Sequence, residues 1–144
     1  MAMDQLNSAM VQRVWKRVQG QGEDSIGQLL TEEAEIAAIY HRLSGQLPQH
    51  KKSLQLLAEA SQKHRHCLQG ILRFSQDRGH RPPTLPPRQE TLPGLLRKAY
   101  GLLTKTANTC LRRSQDPEYG AIFALLATQK QENALALLEI LGSL

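Results

Sequence analysis

The sequence predicts an all-α, single-domain helix bundle, and three observations carry that prediction. Leu and Ala dominate a chain of 144 residues that is also rich in Gln, Glu, Lys and Arg, a helix-forming composition. Apolar residues recur three and four positions apart along four long stretches, and no β-branched run alternates with period two. The joins between the stretches are of two kinds: two short ones and one long, proline-rich one. The whole chain, 1–144, is one domain's worth and can bury a core without disulfide staples.

Residues 3–18 spell a short amphipathic leading helix, with Met3, Leu6, Met10, Val14 and Val18 on one side and Trp15 beside them. Gly20 and Gly22 break it. A helix this short is marginal alone, so it needs the bundle or a partner chain, with Trp15 as its anchor. The first bundle helix, 25–44, opens with Ser25 and Gln28 at capping-box spacing and stops before Gly45. Its stripe is Ile26, Leu29/Leu30, Glu33, Ile36/Ala37, Tyr40, Leu43.

The second bundle helix, 48–77, starts at Pro48 and reads Leu54, Leu57, Ser61, His64, Leu68, Ile71/Leu72. The third, 91–114, reads Leu92, Leu95/Leu96, Ala99, Leu103, Thr106, Cys110. Asp116 and Pro117 supply an N-cap and a first-turn proline for the fourth, 117–143. Its stripe is Tyr119, Ile122/Phe123, Leu126, Lys130, Asn133, Leu137, Ile140/Leu141.

The joins at Gly45–Pro48 and Ser114–Pro117 are short enough to make antiparallel hairpins. Between the hairpins, residues 79–89 hold four prolines in eleven positions. Extended at about 3.1 Å per residue, this segment reaches roughly 34 Å, nearly one helix length. The expected topology is two hairpins joined by one end-to-end crossover.

Polar residues interrupt the apolar stripes halfway along: Glu33, Ser61, His64, Lys130 and Asn133. In a bundle such positions face one another, and burying charge there is costly without partners or a metal. Lys130 is expected to pair with Glu33 across the core. The string His64-Arg65-His66-Cys67 is not a metal site, because neighbours two apart on a helix diverge. Cys67 and Cys110 read as free thiols in the core of a cytoplasmic protein.

The net charge of +5 is spread over short pairs such as Lys51-Lys52 and Arg112-Arg113, which does not make a nucleic-acid arm. MAMDQLNSAM has no basic region leading into an apolar core, and no apolar run approaches a membrane span. The expected protein therefore has no nucleic-acid or membrane partner. No phosphate-cradling loop or nucleophile triad is visible.

The segments EEAEIAAIY (32–40), LAEASQKHRHCLQGI (57–71), YGLLTKTANTC (100–110) and DPEYGAIFALLATQKQENALALLEIL (116–141), with the proline crossover, resemble the rubrerythrin-like branch of the ferritin-like superfamily. The resemblance spans roughly residues 25–141 and implies a ferritin-like four-helix bundle with a non-haem di-iron centre reacting with peroxide or oxygen. It places Glu33 on the first-helix ligand and Tyr40 on the tyrosine seven residues later. It places His64 on the first Glu-x-x-His histidine, whose glutamate is Ser61 here. Leu103 stands for the third-helix glutamate, Cys110 for the second tyrosine, and Lys130 with Asn133 for the second Glu-x-x-His. Of the six ligands only Glu33 and His64 remain, and the Cys-x-x-Cys pairs of a rubredoxin-type domain are absent.

The expectation is a ferritin-like protein that has lost its di-iron centre, holds no cofactor, and acts without catalysis as a scaffold or interaction module. Its expected partner is a second copy, with another protein as a further possibility. Two alternatives are carried forward. One is a metal-dependent oxidoreductase with iron or another divalent ion on Glu33 and His64. The other is a small-anion binder using Ser61, His64, Lys130 and Asn133.

Overall fold

Helices form along the four predicted stretches, and local chemistry decides where each begins and ends. The computed structural model describes residues 25–76 and 91–144. The expected leading helix (3–18) with Trp15, and the crossover (79–89), lie outside the described residues. Among the described residues there are four α-helices and no strand: α1 (Ile26–Gln46), α2 (Lys51–Gln76), α3 (Leu92–Arg113) and α4 (Gly120–Gly142).

Ser25 caps α1 from an extended backbone conformation, its Oγ accepting the Gln28 N–H at 2.9 Å. The helix runs through Gly45 to Gln46, two residues beyond its expected end at 44. Leu47 explains the extension. Its N–H still bonds the Leu43 carbonyl at 2.9 Å, and its side chain is buried, so the last turn stays closed. Pro48 opens a 3₁₀ turn (Pro48–His50) rather than the α-helix itself, which starts at Lys51. Thr91 caps α3 through the Gly94 N–H at 3.1 Å, with Pro93 in the first turn.

The start of α4 differs from expectation. Asp116 does act as a cap, its Oδ1 accepting the N–H groups of Glu118 and Tyr119, both at 2.8 Å. Residues 117–119 form only a turn, and the α-helix begins at Gly120. At Gly120 the chain passes so close to the Ser114 carbonyl that a Cβ would strike it.

Two apolar clusters fix the direction of every helix. One joins Ile26, Leu29 and Leu30 of α1, Leu68, Ile71 and Leu72 of α2, Cys110 of α3, and Phe123, Leu126 and Ala127 of α4. The other joins Ile36–Leu43 of α1, Leu54 and Leu57 of α2, Leu95–Leu103 of α3, and Ala134, Leu137 and Ile140 of α4. Hence α1 and α4 run one way while α2 and α3 run the other. The chain leaves α2 at the first cluster and enters α3 at the second, so its two hairpins are joined from one end of the bundle to the other.

Closest packing is within the pairs α1–α2 and α3–α4, then between α1 and α3. Glu32–Lys105 (3.3 Å) and Glu35–Lys98 (2.9 Å) add ion pairs along that last seam. Their lysines are 28 % and 48 % exposed, so the pairs orient the seam more than they stabilise it. Buried apolar positions coincide with the predicted stripes in α1 and α2. In α4 Phe123, Leu126, Lys130, Leu137 and Ile140 of the predicted stripe face in, joined by Ala127 and Ala134, while Ile122 is exposed and Tyr119, Asn133 and Leu141 are half-buried. No helix among the described residues is long and apolar enough to cross a membrane.

Candidate functional site

Between the two apolar clusters lies a polar layer at mid-height, to which all four helices contribute. Glu33 comes from α1, Ser61 and His64 from α2, Thr106 from α3 and Lys130 from α4, each at most 2 % exposed. The arrangement follows from sequence spacing. Each of these residues occupies its helix's inward stripe where a leucine would otherwise continue the core.

The centre of the layer is an ion pair. Lys130 Nζ donates to Glu33 Oε2, with both side chains buried. The other carboxylate oxygen, Glu33 Oε1, faces His64 Nδ1 at 3.7 Å, beyond hydrogen-bond reach. His64 is held from its far side, Nε2 to Gln129 Oε1 at 2.9 Å. An amide oxygen only accepts, so Nε2 is the donor in this contact. Ser61 Oγ donates to the Glu33 backbone carbonyl at 3.5 Å, tying α2 to α1. Thr106 spends its hydroxyl within α3, donating to the Leu102 and Leu103 carbonyls at 2.8 and 3.1 Å.

The remaining sequence-predicted residues flank or miss this centre. Tyr40 lies in the cluster above and Cys110 in the cluster below. Leu103 is an ordinary core leucine. Asn133 is a correction: it is only half-buried, because Lys130 is followed on the inner face by Ala134, four residues on. Gln129, which the sequence pattern did not single out, supplies the α4 contact to His64 instead. Cys67 is also a correction, since its thiol is exposed rather than in the core, and both cysteines are free.

Burial by itself would raise the Glu33 carboxyl, yet the Lys130 ammonium, with help from His64, holds it below its ordinary value. Tyr40 is pushed well above the usual phenol range by burial and then by the Glu33 charge. Its hydroxyl has no hydrogen-bond partner. Burial also pushes the Cys110 thiol up to about 11, against a smaller downward pull from Lys130. A thiol so placed is inert at neutral pH.

As a metal site the donor set is deficient. Among the described residues, Glu33 and His64 are the only carboxylate and imidazole that meet in the layer. Among the described residues no three His, Cys, Asp or Glu side chains converge. An iron pair needs several anionic ligands, and here an ammonium already engages the one available carboxylate. The residues present do not fit a di-iron centre. No protein family, curated protein or solved structure matches the chain.

Proposed function

We propose that the chain is a ferritin-like protein of the rubrerythrin-like kind whose metal charge has been replaced by the Lys130 ammonium, and that it acts without catalysis as a scaffold or interaction module. The observation that carries this reading is the buried contact between Lys130 and Glu33 at the centre of the bundle. In the resemblance, Lys130 stands where a metal-bridging carboxylate belongs. A cation fixed there repels metal and satisfies the carboxylate left behind. The direction order of the helices, with hairpins joined end to end, supports the bundle type.

An interaction role is supported by α4, which carries leucines on its outer side as well. Leu125, Leu135 and Leu138 are exposed there at 57 %, 62 % and 41 %. Exposed leucines on one helix, set among Thr128, Gln131, Glu132 and Glu139, suit a covered face with polar surroundings, and a second copy of this chain is the proposed cover.

Metal content separates this reading from an enzymatic one. Elemental analysis of the full chain, purified without chelators from cells supplied with iron, manganese and zinc, should find each metal far below stoichiometric. Near-stoichiometric metal that disappears in His64→Ala would overturn the proposal. Light scattering after size exclusion should give a dimer mass, and a monomer at high concentration would contradict the proposed self-association.

A further inference from the structure

On the side of α2 away from α1, Leu56, Ala60, Lys63, Cys67, Gly70 and Phe74 follow one another at spacings of four and three residues. That is the spacing of a helix face that receives another helix. The phase of the stripe gives its direction. Ala58, Gln62 and Arg65 share a groove with Ala37 and His41 of α1. The stripe lies about 150° around the helix from them, past the core face and hence on the α4 side. The opposite wall comes from α4. Gln129, which bonds His64 across the seam, has Ile122 seven residues before it and Ala136 seven after it, on the same side of the helix. Among the described residues, this α2–α4 seam is the least closely packed of the four between neighbouring helices.

The groove along the seam is largely apolar and open. Phe74 is 87 % exposed, Leu56 60 % and Ile122 39 %. Cys67 is exposed between them, and Gly70 has nothing within 4 Å of where a Cβ would stand, so a further backbone has room to come close. Lys63 is exposed, and its stem lies on the stripe while its ammonium reaches water at the rim.

We infer that this groove is the docking site of the chain's own leading segment, residues 3–18, laid along it as a helix running in the direction of α2. The segment's chemistry fits: Met3, Leu6, Met10, Val14 and Val18 recur on one side at spacings of three and four. Its point of attachment fits as well. The segment joins α1 at Ser25, and Ile26 and Leu29 pack with Ile71 and Leu72, so it enters at the Phe74 end of the groove. Seven residue steps separate Val18 from Ser25, a reach of up to about 24 Å. The groove lies some two interhelical spacings from α1, roughly 16–20 Å. Sixteen helical residues rise about 24 Å, enough to cover α2 from Phe74 back to Ala60. The proline-rich segment 77–90 is the rival occupant from the same chain, and Leu85 is its one large apolar side chain beside four prolines. This docking does not depend on how the Glu33–Lys130 layer is read.

Two reporters test it in the full chain. Trp15 is the single tryptophan and lies in the segment. Cys67 lies in the groove, and Cys110 is buried with its thiol pushed up to about 11, so Ellman's reagent at neutral pH reads Cys67 alone. Cys67 should react slowly, and Trp15 should emit at the short wavelengths of a buried indole. Met10→Asp with Val14→Asp should speed the thiol reaction at least about tenfold, as when a covering segment opens, and shift the emission to that of an exposed indole. Phe74→Asp, at an already exposed position, makes the same test from the groove side should the double variant be unstable. Fast reaction of Cys67 in the unaltered chain, or equal rates in the variants, would overturn the docking. A protected Cys67 beside a solvent-exposed Trp15 would overturn it in favour of segment 77–90. Variants that free Cys67 and also halve the mass by light scattering would overturn it in favour of a second copy.

Discussion

Lys130 and Glu33, 97 positions apart in sequence, meet as a buried ion pair between α1 and α4, which run parallel on opposite sides of the bundle. Each is at most 1 % exposed. A pair so placed loses the hydration of both ions, and its mutual attraction need not exceed that cost. Its structural consequence is sharper than its net energy. With either partner missing, the other is left as an uncompensated charge in the middle of the core.

Acid should weaken the fold through Glu33. The folded carboxyl titrates below the unfolded one, whose value is near 4.5, so the unfolded chain takes up its proton first as pH falls. The stability this group contributes is complete above about pH 4.5 and is lost as pH drops through that value and on through the lower folded one. Urea unfolding at a series of pH values between 7 and 3 should show a falling midpoint that is shallower in Glu33→Gln. An identical acid slope in that variant would remove Glu33 from the explanation.

Tyr40 makes an opposite kind of prediction. Its hydroxyl is buried without a partner, a condition that costs roughly 1–3 kcal/mol. Replacing Tyr40 by Phe keeps the ring in its cluster and removes the unpaired group. Stability of Tyr40→Phe by urea unfolding should be unchanged or up to about 1 kcal/mol higher. A clear loss would mean that the hydroxyl has a partner.

The inner face of α4 can be checked by comparing two neighbours. Gln129→Leu leaves His64 Nε2 unpaired in the core and should cost about 1–3 kcal/mol. Asn133→Ala, at a half-buried position, should stay within about 0.5 kcal/mol of wild type. The reverse ranking in chemical denaturation would put Asn133, rather than Gln129, against the histidine.

How far the sequence can be read differs from helix to helix for a physical reason. In α1 and α2 polar residues flank a single apolar stripe, so Ile26, Leu29, Glu33, Tyr40 and Leu43, or Leu54, Ser61, His64 and Leu68, identify the buried face directly. In α4 leucines and alanines occur on all sides, and periodicity cannot choose between Ile122 and Phe123, or between Asn133 and Ala134. Lys130 is recognisable because it stands on the inner line under either phase. Gln129 is not, since a glutamine beside a stripe ordinarily meets solvent. Asp116-Pro117 marks a cap, but only the packing of Gly120 against Ser114 shows that the helix proper starts after it. Cys67 departs from its expected burial because nothing in the sequence around an isolated cysteine marks it as exposed, and cysteine is more often buried.

Everything functional rests on the mutual dependence of residues 33 and 130, which a double-mutant cycle measures directly. Lys130→Met and Glu33→Leu should each destabilise the chain by about 3–5 kcal/mol in urea unfolding, because each strands a buried charge. Combined, they should return stability to within about 1 kcal/mol of wild type, or above it, since two apolar side chains then fill the same space. Single variants that unfold no more easily than wild type, with effects that simply add, would contradict the account.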